Sequence, residues 1–138
     1  MLPRVAQGAI VLKILVVDDS KVMREMIIAC LRGVDGLHFS EAASGLEAIE
    51  RLSLSAFDLM FLDLNMPDIG GFEVVEFVRS QDTLKALPII VVTTRGEEAT
   101  RTRALELGAS SFMTKPFNPE AVVSELRALL ADRLGKPT

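Results

Sequence analysis

The stretch "ILVVDDSKVMREM", residues 14–26, passes from four aliphatic side chains straight into the adjacent carboxylates of Asp18 and Asp19. An unbroken apolar run of this kind reads as a strand buried on both faces, as found where helices cover both sides of a parallel sheet. Beyond the acids the period changes. From Ser20 to Arg32 the residues Val22, Met23, Met26, Ile27, Cys30 and Leu31 recur at helical spacing, and Gly33 stands where a helix would stop. The stretch is one β-α unit with an acidic polar edge, and the rest of the chain decides what that edge serves.

The alternation repeats. Strands are expected at Lys13 to Val17, Leu37 to Ala42, Asp58 to Leu62, Pro88 to Thr93 and Ser110 to Thr114. Leu46, Ile49 and Leu52 mark a second helix, Phe72, Val75 and Val78 a third, and Val122, Leu126, Leu129 and Leu130 a last one. The segment from Gly96 to Leu107 has helix formers but a thin apolar stripe, so it is expected to be a helix held weakly against its sheet. "ILVV", "LMFL" and "IIVV" are uninterrupted and belong at the sheet centre, whereas "LHFSEA" and "SSFMT" are mixed and belong at the edges. Right-handed crossovers then favour the strand order 2-1-3-4-5, a doubly wound, flavodoxin-like α/β fold with five parallel strands. Its chemistry should sit at the carboxyl ends of strands 1 and 3, where the winding reverses.

Composition limits the alternatives. The 138 residues, 49% hydrophobic and 25% charged, suit one soluble domain. We expect that domain over 12–134, between a short extension at 1–11 and a tail at 135–138. A formal charge of −4, with Lys and Arg scattered among acids, speaks against nucleic-acid binding. Cys30 is the single cysteine, which leaves no intramolecular disulfide and no cysteine metal site, and it reads as packing. His38 reads as a surface residue. The apolar runs fall short of a membrane span, so a cytoplasmic protein without membrane insertion is expected. No G-x-x-x-x-G-K-[ST] loop follows any strand, which disfavours nucleotide-driven switching.

Four of the five expected strands end in a polar side chain: Asp18 and Asp19 after strand 1, Asp63 after strand 3, Thr93 on strand 4 and Lys115 after strand 5. In the expected fold these crowd one edge. Two unit charges about 4 Å apart repel by about 4 kcal/mol at an effective dielectric near 20, so three clustered carboxylates call for a cation. Carboxylates and carbonyls with room for water suit Mg²⁺. With Lys115 as a second, fixed positive charge and the Thr93 hydroxyl beside it, the cluster is fitted to a phosphoryl group. Asp63 can be its nucleophile, because aspartate carboxylates form acyl-phosphate intermediates.

"VVDDS", "FLDLNMP", "VVTT" and "GASSFMTKPF", in this order, resemble the receiver domains of bacterial two-component response regulators, chemotaxis-type and single-domain, over about residues 12 to 134. The resemblance implies that Asp63 is the phosphoacceptor, taking its phosphoryl group from a sensor histidine kinase or a phosphotransfer protein. It implies Asp19, Asp63 and the backbone carbonyl of Asn65 as direct Mg²⁺ ligands, with Asp18 acting through a bound water. Thr93 would hydrogen-bond the phosphoryl group and Lys115 would pair with it. A cis peptide is implied before Pro116. Phe112 holds the aromatic switch position, its ring otherwise partly exposed and rotating inward behind Thr93. The output is then a downstream protein bound on the face of helix 4, strand 5 and helix 5, by a monomer or weak dimer. Such a domain is not a turnover enzyme, although it catalyses its own phosphorylation and slow dephosphorylation.

Two positions depart from the family pattern: Gly70 replaces the acidic residue usual before the last loop glycine, and Arg95 stands two residues after Thr93. Both bear on the lifetime of the phosphorylated state. One alternative is a receiver-like binding module that is not phosphorylated, against which the full set of site residues argues. Another is an aspartate-nucleophile phosphatase of the haloacid dehalogenase type. That class needs an acid two residues after the nucleophile, where this chain has Asn65. Taken singly the residues have plainer readings, with Asp19 or Ser20 a helix cap, Thr93 a strand-end hydroxyl and Lys115 a surface lysine.

Overall fold

The computed structural model describes residues 11–134. Apart from Val11, the expected extension at 1–11 lies outside the described residues, as does the tail at 135–138. Five parallel strands, β1 (Leu12–Val17), β2 (Leu37–Ala42), β3 (Leu59–Leu62), β4 (Ile89–Thr93) and β5 (Ser111–Thr114), form one sheet in the order β2-β1-β3-β4-β5. This is the expected doubly wound order. The strand bounds differ from the sequence reading by one residue at the amino ends of β1, β3, β4 and β5.

Between them run α1 (Lys21–Leu31), α2 (Gly45–Leu54), α3 (Gly71–Ser80), α4 (Glu98–Leu107) and α5 (Pro119–Leu129), followed by a single turn, α6 (Ala131–Leu134). Alternate strand residues divide the core into two layers, because successive side chains of a strand point to opposite faces. Leu15, Val17, Met60, Leu62, Ile89 and Val91 pack with Leu52 of α2, Val74, Val75 and Val78 of α3 and Ala104 of α4. Ile14, Val16, Leu59, Phe61, Ile90 and Val92 pack on the other face with Ile27 and Leu31 of α1 and Val122 and Leu126 of α5. Every residue of β3 and β4 is buried, whereas β2 is mostly half-exposed and β5 mixed, which is why polarity alone sorted centre from edge.

The helix faces needed correction. Val22 and Met26, expected on the buried face of α1, are 63% and 47% exposed, and the buried residues are Ile27, Ile28 and Leu31. Positions 22 and 26 lie along one line of the helix and 27 and 31 along the next; the sheet covers only the second. Cys30 is half-exposed beside that layer, and Leu46 of α2 is exposed. The thin stripe expected for α4 is observed, since it buries only Thr100 and Ala104.

Candidate functional site

Strand register assembles the site. Val17 of β1 pairs with Leu62 of β3, so the next residue on each strand is an aspartate, and the Asp63 amide donates to the Val17 carbonyl at 3.0 Å. Thr93 pairs with Thr114, and the Lys115 amide donates to the Thr93 carbonyl at 2.8 Å, which sets Lys115 at the same edge. The Lys115–Pro116 peptide is cis. Asp18, Asp19 and Asp63 thus offer carboxylate oxygens that all lie within 4.8 Å of one another.

The three aspartates are not equivalent. Asp18 is buried with both oxygens engaged: Oδ1 accepts from the Ser20 amide at 2.9 Å, and Oδ2 accepts from Lys115 Nζ at 2.7 Å. Asp19 stands exposed at the rim, and its carboxylate makes no hydrogen bond among the described residues. Asp63 is 5% exposed, with Lys115 Nζ 3.6 Å from Oδ2 and no hydrogen-bond partner for the buried Oδ1. Burial raises the Asp63 carboxyl pKa above its ordinary value; Lys115 opposes this, Asp18 adds to it, and the nearby Asn65 amide and Thr93 hydroxyl lower it. An unpartnered buried carboxylate oxygen, with a free carboxylate facing the same space, is a donor set that a hard divalent cation such as Mg²⁺ fits. The single lysine, already closer to Asp18, does not neutralise three carboxylates.

Thr93 is fully buried, its Oγ1 accepting from the Arg95 amide at 3.3 Å. The Arg95 side chain lies over the Phe72 ring, 5.8 Å from its centroid, and Arg103 lies over the same ring at 5.1 Å. Phe112 departs from expectation. Its ring, expected to be partly exposed, is 8% exposed and packed in the α2-α3-α4 layer, with the Arg101 guanidinium 5.7 Å from its centroid. Beyond Asp63, Gly71 lets α3 start against the Asp63 backbone: a Cβ there would meet the Asp63 carbonyl and Leu64 Cα at 2.6 Å.

The family model of the response regulator receiver domain matches residues 14–127. The chain belongs to that family. The receiver is 38% identical to chemotaxis protein CheY1 of Helicobacter pylori over 120 residues, 86% of this chain and 97% of that protein. It is 41% identical over 118 residues to the transcriptional regulatory protein ResD of Bacillus subtilis, a match that takes 86% of this chain and 48% of that one. The solved structure of chemotaxis response regulator CheY4 of Vibrio cholerae has a TM-score of 0.79 at 36% identity, covering 87% of the receiver and 99% of CheY4.

Two residues of the receiver's site escaped the sequence reading. Arg24, in α1, donates from Nη1 to the Asp18 carbonyl at 2.6 Å and from Nε to Glu41 Oε1 at 2.9 Å. Asp68, in the loop after Asp63, accepts from the Gly45 and Leu46 amides at 3.1 and 3.0 Å, so it ties that loop to the start of α2. Hydrogen bonds from the Leu46, Ile69 and Gly45 amides hold its carboxyl below the usual carboxylate range. A lone arginine on a helix and a lone aspartate in a turn carry no pattern, since their partners, the Asp18 carbonyl and Glu41 carboxylate for one and two distant amides for the other, are set by the fold.

Proposed function

We propose that this receiver is a phosphorylation-dependent signalling switch that accepts a phosphoryl group on Asp63 from a kinase phosphohistidine and thereby changes its binding of a protein partner. Receivers of this type are switches rather than turnover enzymes, and they interact with histidine kinases and downstream targets. The observation that carries the reading is the unpartnered, buried Asp63 Oδ1, on a carboxylate that clusters with those of Asp18 and Asp19 and has Lys115 Nζ 3.6 Å from its Oδ2. An Asp63 oxygen forms the new O–P bond as the donor's N–P bond breaks; the leaving imidazole keeps the bonding pair and takes up a proton. Lys115 and the Thr93 hydroxyl meet the negative phosphoryl oxygens from fixed positions. Asp19, Asp63 and the Asn65 carbonyl, with Asp18 behind them, would hold Mg²⁺, which would supply the remaining positive charge.

Readout runs through the switch residues. A phosphoryl group draws the Thr93 hydroxyl toward Asp63, away from the Arg95 amide that it now serves as acceptor. Because the Phe112 ring already lies inside, phosphorylation fixes it there rather than drawing it in. The surface of α4, β5 and α5, including the weakly held α4, changes with that fixing and presents the downstream partner with a different face. No described helix is long and apolar enough to cross a membrane, and we place the switch in the cytoplasm as a domain over 12–134.

Intact mass spectrometry after treatment with acetyl phosphate and Mg²⁺ is expected to show one added phosphoryl group, absent from Asp63→Asn. Equal labelling of that variant overturns the assignment. Thr93→Ala should still be labelled, with much smaller amide chemical-shift changes around Phe112 and α4 than the wild type; matching shifts would place the output on the loop after Asp63 instead.

A further inference from the structure

Arg24 is a cation drawn almost entirely into the fold, and nothing in its own helix accounts for it. It lies four residues into the helix from the Ser20 cap, near the positive end of the α1 dipole, where a cation is disfavoured, and the first turn of α1 carries no acid to offset it. Its side chain is 12% exposed. The reason for the position is tertiary. Its guanidinium bridges the Asp18 carbonyl, 2.6 Å from Nη1, and the Glu41 carboxylate, 2.9 Å from Nε, thereby joining α1, β1 and β2 at one point.

That point is the peptide joining Asp18 to Asp19. The Asp18 amide donates to the Ala42 carbonyl of β2 at 3.1 Å, and the Asp18 carboxylate is held by Ser20 and Lys115. With its carbonyl taken by Arg24, every polar group of Asp18 has a fixed partner. Asp19 has none for its carboxylate, and the Asp18–Asp19 peptide plane is what aims that side chain. We infer that Arg24 is a positioning residue for the acidic pair: by gripping the Asp18 carbonyl it holds the Asp19 carboxylate where it meets Asp63, and so sets the Mg²⁺ affinity of the receiver. Glu41 is the counter-charge that lets a guanidinium sit beside a cation site without repelling its ion. This rests on the reading of the three aspartates as a Mg²⁺ site.

Charge and geometry make opposite forecasts, which makes the inference decidable. Removing Arg24 takes a positive charge from beside the site and frees the Glu41 carboxylate, so by electrostatics alone Mg²⁺ should bind more tightly to Arg24→Ala. If Arg24 positions Asp19, Mg²⁺ should bind more weakly. Outer-shell partners of metal ligands typically contribute 10- to 100-fold in affinity, and about tenfold is expected here. Arg24→Lys keeps the charge but not the planar fork that spans both acceptors, so an intermediate loss is expected from geometry alone.

The measurement is Mg²⁺ titration followed by amide chemical shifts, paired with the rate of labelling by acetyl phosphate against Mg²⁺ concentration. For Arg24→Ala the Mg²⁺ needed for half-maximal rate should rise about tenfold, with a smaller drop in the saturated rate. A fold-stabilising role alone would lower the melting temperature and leave that concentration unmoved. Unchanged or tighter Mg²⁺ binding by folded Arg24→Ala overturns the inference. Should that variant fail to fold, wild-type affinity in Arg24→Lys does the same. A wild-type receiver that binds no Mg²⁺ overturns the metal-site reading and this inference with it, whereas a binding wild type beside indifferent variants overturns this inference alone.

Discussion

Asp63 is a carboxylate that folding makes harder to ionise. Burial raises its pKa above the ordinary 3.8 to which it returns in the unfolded chain, so between the two values the native state holds more protons than the unfolded one. Stability from this group is complete below pH 3.8 and declines as pH rises through the folded value. In metal-free buffer at pH 7, Asp63→Asn is therefore expected to melt at a higher temperature than the wild type, with the gap closing as pH falls. Calorimetry across pH checks this, and a variant less stable at neutral pH would show that Asp63 is structural. Asp68 has the opposite sign. Its lowered pKa stabilises above the ordinary carboxylate range, and that contribution is lost as pH falls through the folded value. The meeting of Asp63, Lys115 and Thr93 at one edge was readable because each ends or follows a strand; the contacts of Arg24 and Asp68 were not, because each is made with groups on another element that no sequence pattern marks.

At the scale of elements, α4 is fastened at one end. Arg79 of α3 donates to the Gly108 carbonyl from Nε and Nη2 at 2.9 and 2.7 Å, and to the Leu87 carbonyl from Nη1 at 2.7 Å. Gly108 ends α4 in a left-handed conformation, φ 118°, and a Cβ there would meet Arg79 Nε at 2.8 Å. The other end begins at Glu97 with no side-chain cap, and the helix buries only Thr100 and Ala104. We expect α4 to move more readily at its amino end than at its carboxyl end. Arg79→Ala leaves those carbonyls unpaired and is expected to cost about 2 kcal/mol, with faster hydrogen exchange along α4. Exchange no faster in α4 than in α1 and α5 would contradict this. Sequence showed that α4 would be weakly held, because burial follows the apolar stripe. It did not show where the helix is anchored, since an arginine on carbonyls leaves no periodic trace.

For the molecule as a whole, a cation bound among Asp18, Asp19 and Asp63 would stabilise the native state by mass action, by about 2.7 kcal/mol at a hundredfold excess over Kd. Added Mg²⁺ should raise the melting temperature of the wild type and leave Asp19→Ala unmoved. In metal-free buffer Asp19→Ala should melt no lower than the wild type, since α1 is capped by Ser20, whose Oγ accepts from the Met23 amide at 3.3 Å, and losing a carboxylate from the cluster relieves repulsion. A large metal-free loss in that variant would show that Asp19 holds the fold.

The sequence alone determined the strand order and the edge on which the polar groups meet. Both follow from which runs are apolar enough to lie between two helical layers and from the fixed hand of the crossovers. Tertiary structure decided everything that depends on a narrower contact. It chose Ile27, Ile28 and Leu31 over Val22 and Met26 as the buried line of α1, because helical period marks a broad face and only the sheet's position selects a line within it. It gave Asp18 to Lys115 and Ser20 while leaving Asp19 free, although the two carboxylates are adjacent in the chain and alike in chemistry. It placed Phe112 inside, packed in one layer with Ala104 of α4. Periodicity encodes which side of an element is apolar; which carboxylate is held, and which remains open to a cation, depends on distances of a few ångströms between strands that only the folded chain brings together.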